Sequence, residues 1–185
     1  MKALYQNMHQ DLINRCRKGD RKAQFDLYKL YYKAMYNTAL RIVGDSCEAE
    51  DIMQEAFLSA FGKLGTYSRK VSFGAWLKKI VINRSLDVLR KQKPVFEELN
   101  ESVTAEAKEP EAAPPRLNAG TLRQALMELP AGYRVVFSLY YLEGYDHGEI
   151  AGILQISPGS SRSQLLRAKQ KLKSKLSRQE LIYNN

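Results

Sequence analysis

The chain has 185 residues, with 29 lysines and arginines against 20 aspartates and glutamates, for a formal net charge of +9. That length allows one ordinary domain or two small ones, and 44% apolar residues are enough for packed cores and too many for a disordered chain. No window approaches the ~18 consecutive apolar residues of a membrane span, and the start, Met1-Lys2-Ala3-Leu4-Tyr5-Gln6-Asn7, turns polar too early for a secretory signal. Cys16 and Cys47 have no metal-ligand spacing. Reduced thiols are therefore expected, and nothing motivates a disulfide. A soluble cytoplasmic protein with a basic surplus remains, with neither cofactor nor metal expected and no membrane insertion.

In chain order, Leu12, Ile13 and Cys16 predict a first helix that closes near Gly19-Asp20. Phe25, Leu27, Tyr28, Tyr31, Tyr32, Met35, Tyr36, Ala39, Leu40 and Val43 recur at three and four, predicting a longer helix stopped by Gly44. Asp45-Ser46-Cys47-Glu48 has the pattern of a capping box. The helix it opens carries Ile52, Ala56, Leu58, Ala60 and Phe61 as its apolar set. Asp51 and Glu55 share one face with Gln54 beside them. The carboxylates Glu48, Glu50, Asp51 and Glu55 could hold a metal, but His9 and His147 lie far off in sequence, so a protein-binding face is the better reading.

A polar loop, Thr66 to Ser72, leads into the run Phe73 to Lys91. Phe73, Trp76, Leu77, Ile80 and Val81 fall on one helical arc, which Asn83, Arg84 and Asp87 join further along. This helix is expected to begin in the core and end polar and basic, with Trp76 in the core. Its cations make it a plausible contact for a nucleic-acid backbone.

Charge divides the chain. Residues 1–93 carry a net +9, residues 94–115 a net −5, and residues 116–185 a net +5. The acidic stretch contains Pro94, Pro110, Pro114 and Pro115 and no sustained periodicity, so it reads as an extended or disordered linker. It is either a solvated tether or a segment that occupies a groove built for nucleic acid.

Beyond it, Leu122, Ala125, Leu126 and Leu129 predict a helix stopped by Pro130, and Tyr133 to Leu142 another ended by Gly144. Asp146-His147-Gly148-Glu149 is a second capping box, Gln155-Ile156 a turn, and Ser157-Pro158 an N-cap followed by proline at the first helical position. A short helix with Ala151, a tight turn holding Ile156, and a cationic helix carrying Leu165, Leu166, Ala168, Leu172 and Leu176 form a helix-turn-helix. Its second helix would offer Ser160, Ser161, Arg162, Ser163, Gln164 and Arg167 to base edges, with Lys171 and its neighbours on phosphates. Gln155 stands where many such turns have glycine, and Ser161 where an apolar residue usually packs.

Together these segments resemble the small extracytoplasmic-function group of bacterial sigma factors in the sigma-70 family. Glu50-Asp51-Ile52-Met53-Gln54-Glu55-Ala56-Phe57 is similar to the family segment that binds the clamp helices of the polymerase β′ subunit. The run from Phe73 through Trp76, Leu77, Ile80, Asn83 and Asp87 to Arg90 resembles its −10-reading helix, and the loop before it, about Leu64 to Ser72, the one that captures a flipped base. Leu126-x-x-Leu129-Pro130, Tyr141-Leu142-Glu143-Gly144 and Glu149-Ile150-Ala151 resemble the −35-reading domain.

The resemblance implies an all-α chain of two small helical domains, residues 1–93 and 118–185, joined by a flexible acidic linker over 94–117 that threads toward the RNA exit channel. It implies Asp51, Gln54, Glu55 and Phe57 as the core-polymerase contact. Tyr67, Ser68, Arg69, Lys70, Lys79, Asn83, Arg84, Asp87 and Arg90 would meet −10 DNA, and the helix-turn-helix residues the −35 duplex. Implied partners are core RNA polymerase through its β′ clamp helices and β subunit, promoter DNA, and an anti-sigma factor. A dimeric helix-turn-helix repressor or activator is the alternative. A nuclease would rest on the acidic cluster alone, and with no nucleophile–base pair or phosphate-cradling loop, no catalytic residue is expected.

Overall fold

The computed structural model describes residues 8–92 and 119–183, so the acidic linker expected over 94–117 lies outside the described residues. The described residues are helical, with no strand among them. The chain divides into two compact units, Met1–Leu89 and Arg90–Asn185.

The first unit is built on α1 (Gln10–Arg17), α2 (Arg21–Val43), α3 (Ser46–Gly62) and all but the last three residues of α4 (Phe73–Gln92), with one 3₁₀ turn at Leu64–Thr66. Local chemistry sets the boundaries. Asp20 caps α2 by accepting from the Ala23 N–H at 3.0 Å, and Gly44 ends it in the left-handed conformation, φ 88°, which a side chain would resist. α2 packs along α3 and α1. Ile13, Leu27, Met35, Ile42, Leu64, Phe73, Leu77, Ile82 and Leu86 are the large side chains sealed in this core.

α4 departs from its expected pattern. Its buried side continues through Ser85, Leu86 and Leu89 to the last turn, while Lys79, Asn83, Asp87 and Arg90 line the opposite, exposed side. The polar residues thus form a stripe running beside the apolar one rather than following it.

The second unit contains α5 (Ala119–Met127), α6 (Ala131–Phe137, continued by a π turn Ser138–Leu142), α7 (His147–Leu154) and α8 (Pro158–Tyr183). Leu126, Leu129 and Ala168 form one apolar cluster and Ala125, Leu172 and Leu176 another, and Phe137 packs against both. Arg134 is buried beneath them, with its guanidinium donating to the carbonyls of Met127 at 3.3 Å and Leu129 at 3.0 Å. It ties the end of α5 to α6, and burial draws its pKa down from the usual guanidinium value.

Candidate partner face and nucleic-acid interface

α3 starts at Asp45, whose carboxylate accepts from the Glu48 N–H at 2.9 Å. Ala49, Ile52, Met53, Ala56, Phe57 and Ala60 are buried. Glu50, Asp51, Gln54, Glu55 and Leu58 are exposed, and at ~100° per residue they share one arc of about 140°. The adjacent apolar pair exchanges its expected roles. Phe57, expected on the contact face, is 3% exposed and packs edge-on to Tyr28 at 4.9 Å. Leu58, expected in the core, is 72% exposed at the middle of the acidic face. Among the described residues, no three His, Cys, Asp or Glu side chains are grouped to hold a metal ion. Cys16 is buried, Cys47 is exposed, and both are free thiols.

The loop before α4 is fixed by aromatic packing. Tyr67, expected at the DNA surface, is 3% exposed, with its ring 5.2 Å from Trp76 and 5.8 Å from Phe73 and its hydroxyl donating to the Val71 carbonyl at 2.7 Å. It is therefore a pillar under the loop. Tyr31 meets Phe73 at 5.4 Å and lies so near Gly74 that an added Cβ would come within 3.0 Å of its ring. From α1, Arg17 donates to the carbonyls of Leu64 and Tyr67 at 3.2 and 2.6 Å. Arg69 takes a left-handed backbone, φ 56°, and Ser68 and Lys70 are exposed beside it. Lys79, Asn83, Asp87 and Arg90 continue the exposed surface along α4. Arg84 is brought to the other face instead, its Nη1 2.5 Å from Glu55 Oε2.

In the second unit the capping box is complete. Asp146 accepts from the Glu149 N–H at 2.8 Å, and the Glu149 carboxylate accepts from the Asp146 N–H at 2.9 Å. Gln155 takes the left-handed conformation at φ 57°, without the glycine that the turn favours. Ser157 caps α8 by accepting from the Ser160 N–H at 2.9 Å.

Three residues expected to reach bases are interior. Ser160 is buried against the Ser157 hydroxyl at 2.9 Å, and Gln164 is 2% exposed. Ser161 is fully buried, its Oγ 2.8 Å from Nδ1 of His147. That bond explains a serine at an apolar station: the imidazole, stacked 4.8 Å from Tyr140, takes the place of an apolar neighbour. Burial first and Arg162 second lower the His147 pKa, with Asp146 opposing.

The accessible side of α8 comprises Arg162, Ser163, Leu166, Arg167 and Gln170, again an arc of about 140°. Gln170 was not singled out by the sequence reading; its spacing of eight from Arg162 was the signal for it. Lys171 flanks this arc, its ammonium 5.7 Å from the Tyr133 ring.

Two families match the chain, Sigma-70 region 2 over residues 27–95 and Sigma-70, region 4 over residues 119–172. The chain belongs to the sigma-70 family of bacterial RNA polymerase sigma factors. It is 30% identical over 176 residues to the ECF RNA polymerase sigma factor SigW of Bacillus subtilis, covering 89% of this chain and 94% of that one. It is 33% identical over 184 residues to the RNA polymerase sigma-H factor of Pseudomonas aeruginosa, covering 90% and 93%. Its place is in the extracytoplasmic-function group, and its function is that of an RNA polymerase sigma factor. Two solved structures share the fold. The sigma factor RpoE of Bartonella quintana, in complex with the anti-sigma factor NepR, has a TM-score of 0.55 at 24% identity over 82% of this chain and 95% of that one. CnrH, in complex with the cytosolic domain of CnrY, has a TM-score of 0.54 at 22% identity over 91% and 97%.

Proposed function

We propose that the first unit docks on core polymerase through the exposed side of α3 and holds melted −10 DNA against α4 and its preceding loop, while α8 reads the −35 duplex. The exposed arc of α3 carries the first part. Leu58 gives it an apolar centre, and Glu50, Asp51, Gln54 and Glu55 a charged surround, the anatomy of a protein-binding patch with one anchoring side chain. Ser68, Arg69, Lys70, Lys79, Asn83, Asp87 and Arg90 supply the −10 surface, with Tyr67 as its support. Arg162, Ser163, Arg167 and Gln170 supply base-edge and phosphate contacts for the −35 element, with Lys171 on backbone. The factor acts by binding, without a catalytic group of its own. An anti-sigma protein is the further partner, a reading supported by the structural neighbour RpoE, which is bound to the anti-sigma factor NepR.

Run-off transcription and core association, measured on the same variants, test this reading. Asp51→Ala with Leu58→Ala is expected to weaken core association at least tenfold, a loss of about 1.4 kcal/mol or more for an interface anchor. Arg162→Ala is expected to lower −35-dependent initiation while sparing core association. A double variant that joins core normally removes the α3 assignment. Equal transcription from intact and scrambled −35 templates removes that of α8.

A further inference from the structure

The outer side of α2 carries a feature that the faces on α3, α4 and α8 leave unused. The helix holds five cations, Arg21, Lys22, Lys29, Lys33 and Arg41, against the single carboxylate Asp26. At ~100° per residue, Lys22, Phe25, Lys29, Tyr32, Lys33 and Tyr36 fall on one arc of about 100°, turned away from the buried Leu27, Met35 and Ile42. Phe25 is 60% exposed. Along the arc, cation and ring alternate. The Lys29 ammonium is 4.7 Å from the Phe25 centroid and the Lys33 ammonium 5.9 Å from that of Tyr32, which stacks on Tyr28 at 5.4 Å. Asp26, 3.0 Å from Lys29, offsets one of these charges and leaves a cationic surplus.

One exposed ring, Phe25, and two half-buried ones, Tyr32 and Tyr36, set between lysines, match a polymer with regular negative charge and flat unpaired bases. A duplex would use the lysines and not the rings, because its base faces are already stacked. An acidic protein surface could use Phe25 as an anchor, but it would leave the alternation of rings and cations along the helix without a partner. We propose that this stripe is an additional contact for single-stranded DNA, with its lysines on phosphates and Phe25 and Tyr32 on bases of a strand displaced by promoter melting. The proposal rests on the reading of the chain as a promoter-opening factor and extends the single-strand path beyond α4.

The full chain is titrated with a fluorescein-labelled oligothymidine strand across a salt series. Assembled on core polymerase, it is also photocrosslinked to a promoter whose non-template strand carries 5-iodouracil. Phe25→Ala is expected to weaken oligothymidine binding about tenfold. Lys29→Gln with Lys33→Gln should reduce the slope of log K against log salt by about 0.7 per charge removed. Crosslinks should reach Phe25, Tyr32 or Tyr36, and Leu30→Ala, outside the arc, should change nothing. Unaltered affinity and slope, absence of wild-type binding, or crosslinks confined to α4 and its loop would overturn the proposal. So would a Phe25→Ala variant that loses core association but keeps strand binding, which would make the stripe a protein contact. Run-off transcription by the wild-type chain separates the two failures. A factor that initiates normally yet shows none of these effects loses only the α2 stripe, whereas one that cannot initiate loses the parent reading.

Discussion

The two units hold the helices proposed to face DNA in place by different chemistry. In the first, the approach to α4 rests on rings: Tyr31, Tyr67, Phe73 and Trp76 interlock, and Arg17 pins the loop carbonyls from below. In the second, the joint between α7 and α8 buries Ile150, Leu154 and Leu165 and adds a hydrogen bond between an imidazole and a hydroxyl, next to a turn residue in left-handed backbone. The first joint has no histidine or carboxylate among its rings and depends chiefly on shape. The second contains a histidine whose pKa burial lowers from the ordinary imidazole value. The surface proposed for an unpaired strand is thus steadied mainly by interlocked rings, and the one proposed for duplex by apolar packing with a buried polar pair.

The contrast can be broken at several points. Phe73→Ala removes a fully buried ring from the centre of the first joint and is expected to cost about 3–5 kcal/mol in urea unfolding. A loss below 1 kcal/mol would mean that the ring cluster is not the support. Ser161→Ala should cost about 1 kcal/mol, because the His147 ring loses its partner inside the fold.

The pH response should separate the two joints further. The His147 pKa is lowered in the folded chain, so the unfolded state takes up its proton first. Stability from this residue is then complete above the ordinary imidazole value of about 6.5 and declines as pH falls through it towards the lower folded value. Thermal unfolding followed from neutral pH downward should show this loss in the wild type and less of it in His147→Gln. Equal profiles would remove the titrating joint. The smallest effect is expected at the turn, where Gln155→Gly relieves a left-handed side chain and should stabilise the unit by about 0.5 kcal/mol.

Features set by neighbours in sequence were readable from the residues. The Asp146 capping box, the Gly44 stop, the Ser157 cap and the left-handed demand on Gln155 each depend on a few adjacent positions, and each is present. The phase of α3 was not. In Ala56-Phe57-Leu58 three apolar residues sweep about 200° of helix, and only packing against Tyr28 decides that Phe57 turns inward. In α8 closeness to the N-terminus points to the whole run Ser160 to Gln164 as base-reading, whereas burial follows helical phase and withdraws Ser160, Ser161 and Gln164. The resemblance of its loop to the family's base-capturing loop points Tyr67 to DNA, although its partners are Phe73 and Trp76. Contacts between distant positions, His147 with Ser161 and Glu55 with Arg84, lie beyond any local pattern.

That last pair has a thermodynamic consequence. Glu55 belongs to the exposed α3 surface and Arg84 to α4, the helix beside the proposed −10 surface, and in this chain each holds the other. A ligand that claims the carboxylate releases the guanidinium, and one that claims the guanidinium releases the carboxylate. Linkage makes the two effects equal in size and sign, so each binding event favours the other by the same factor. Because both groups are substantially exposed, the shared increment is modest, roughly 0.2–1 kcal/mol, and added salt should erode it.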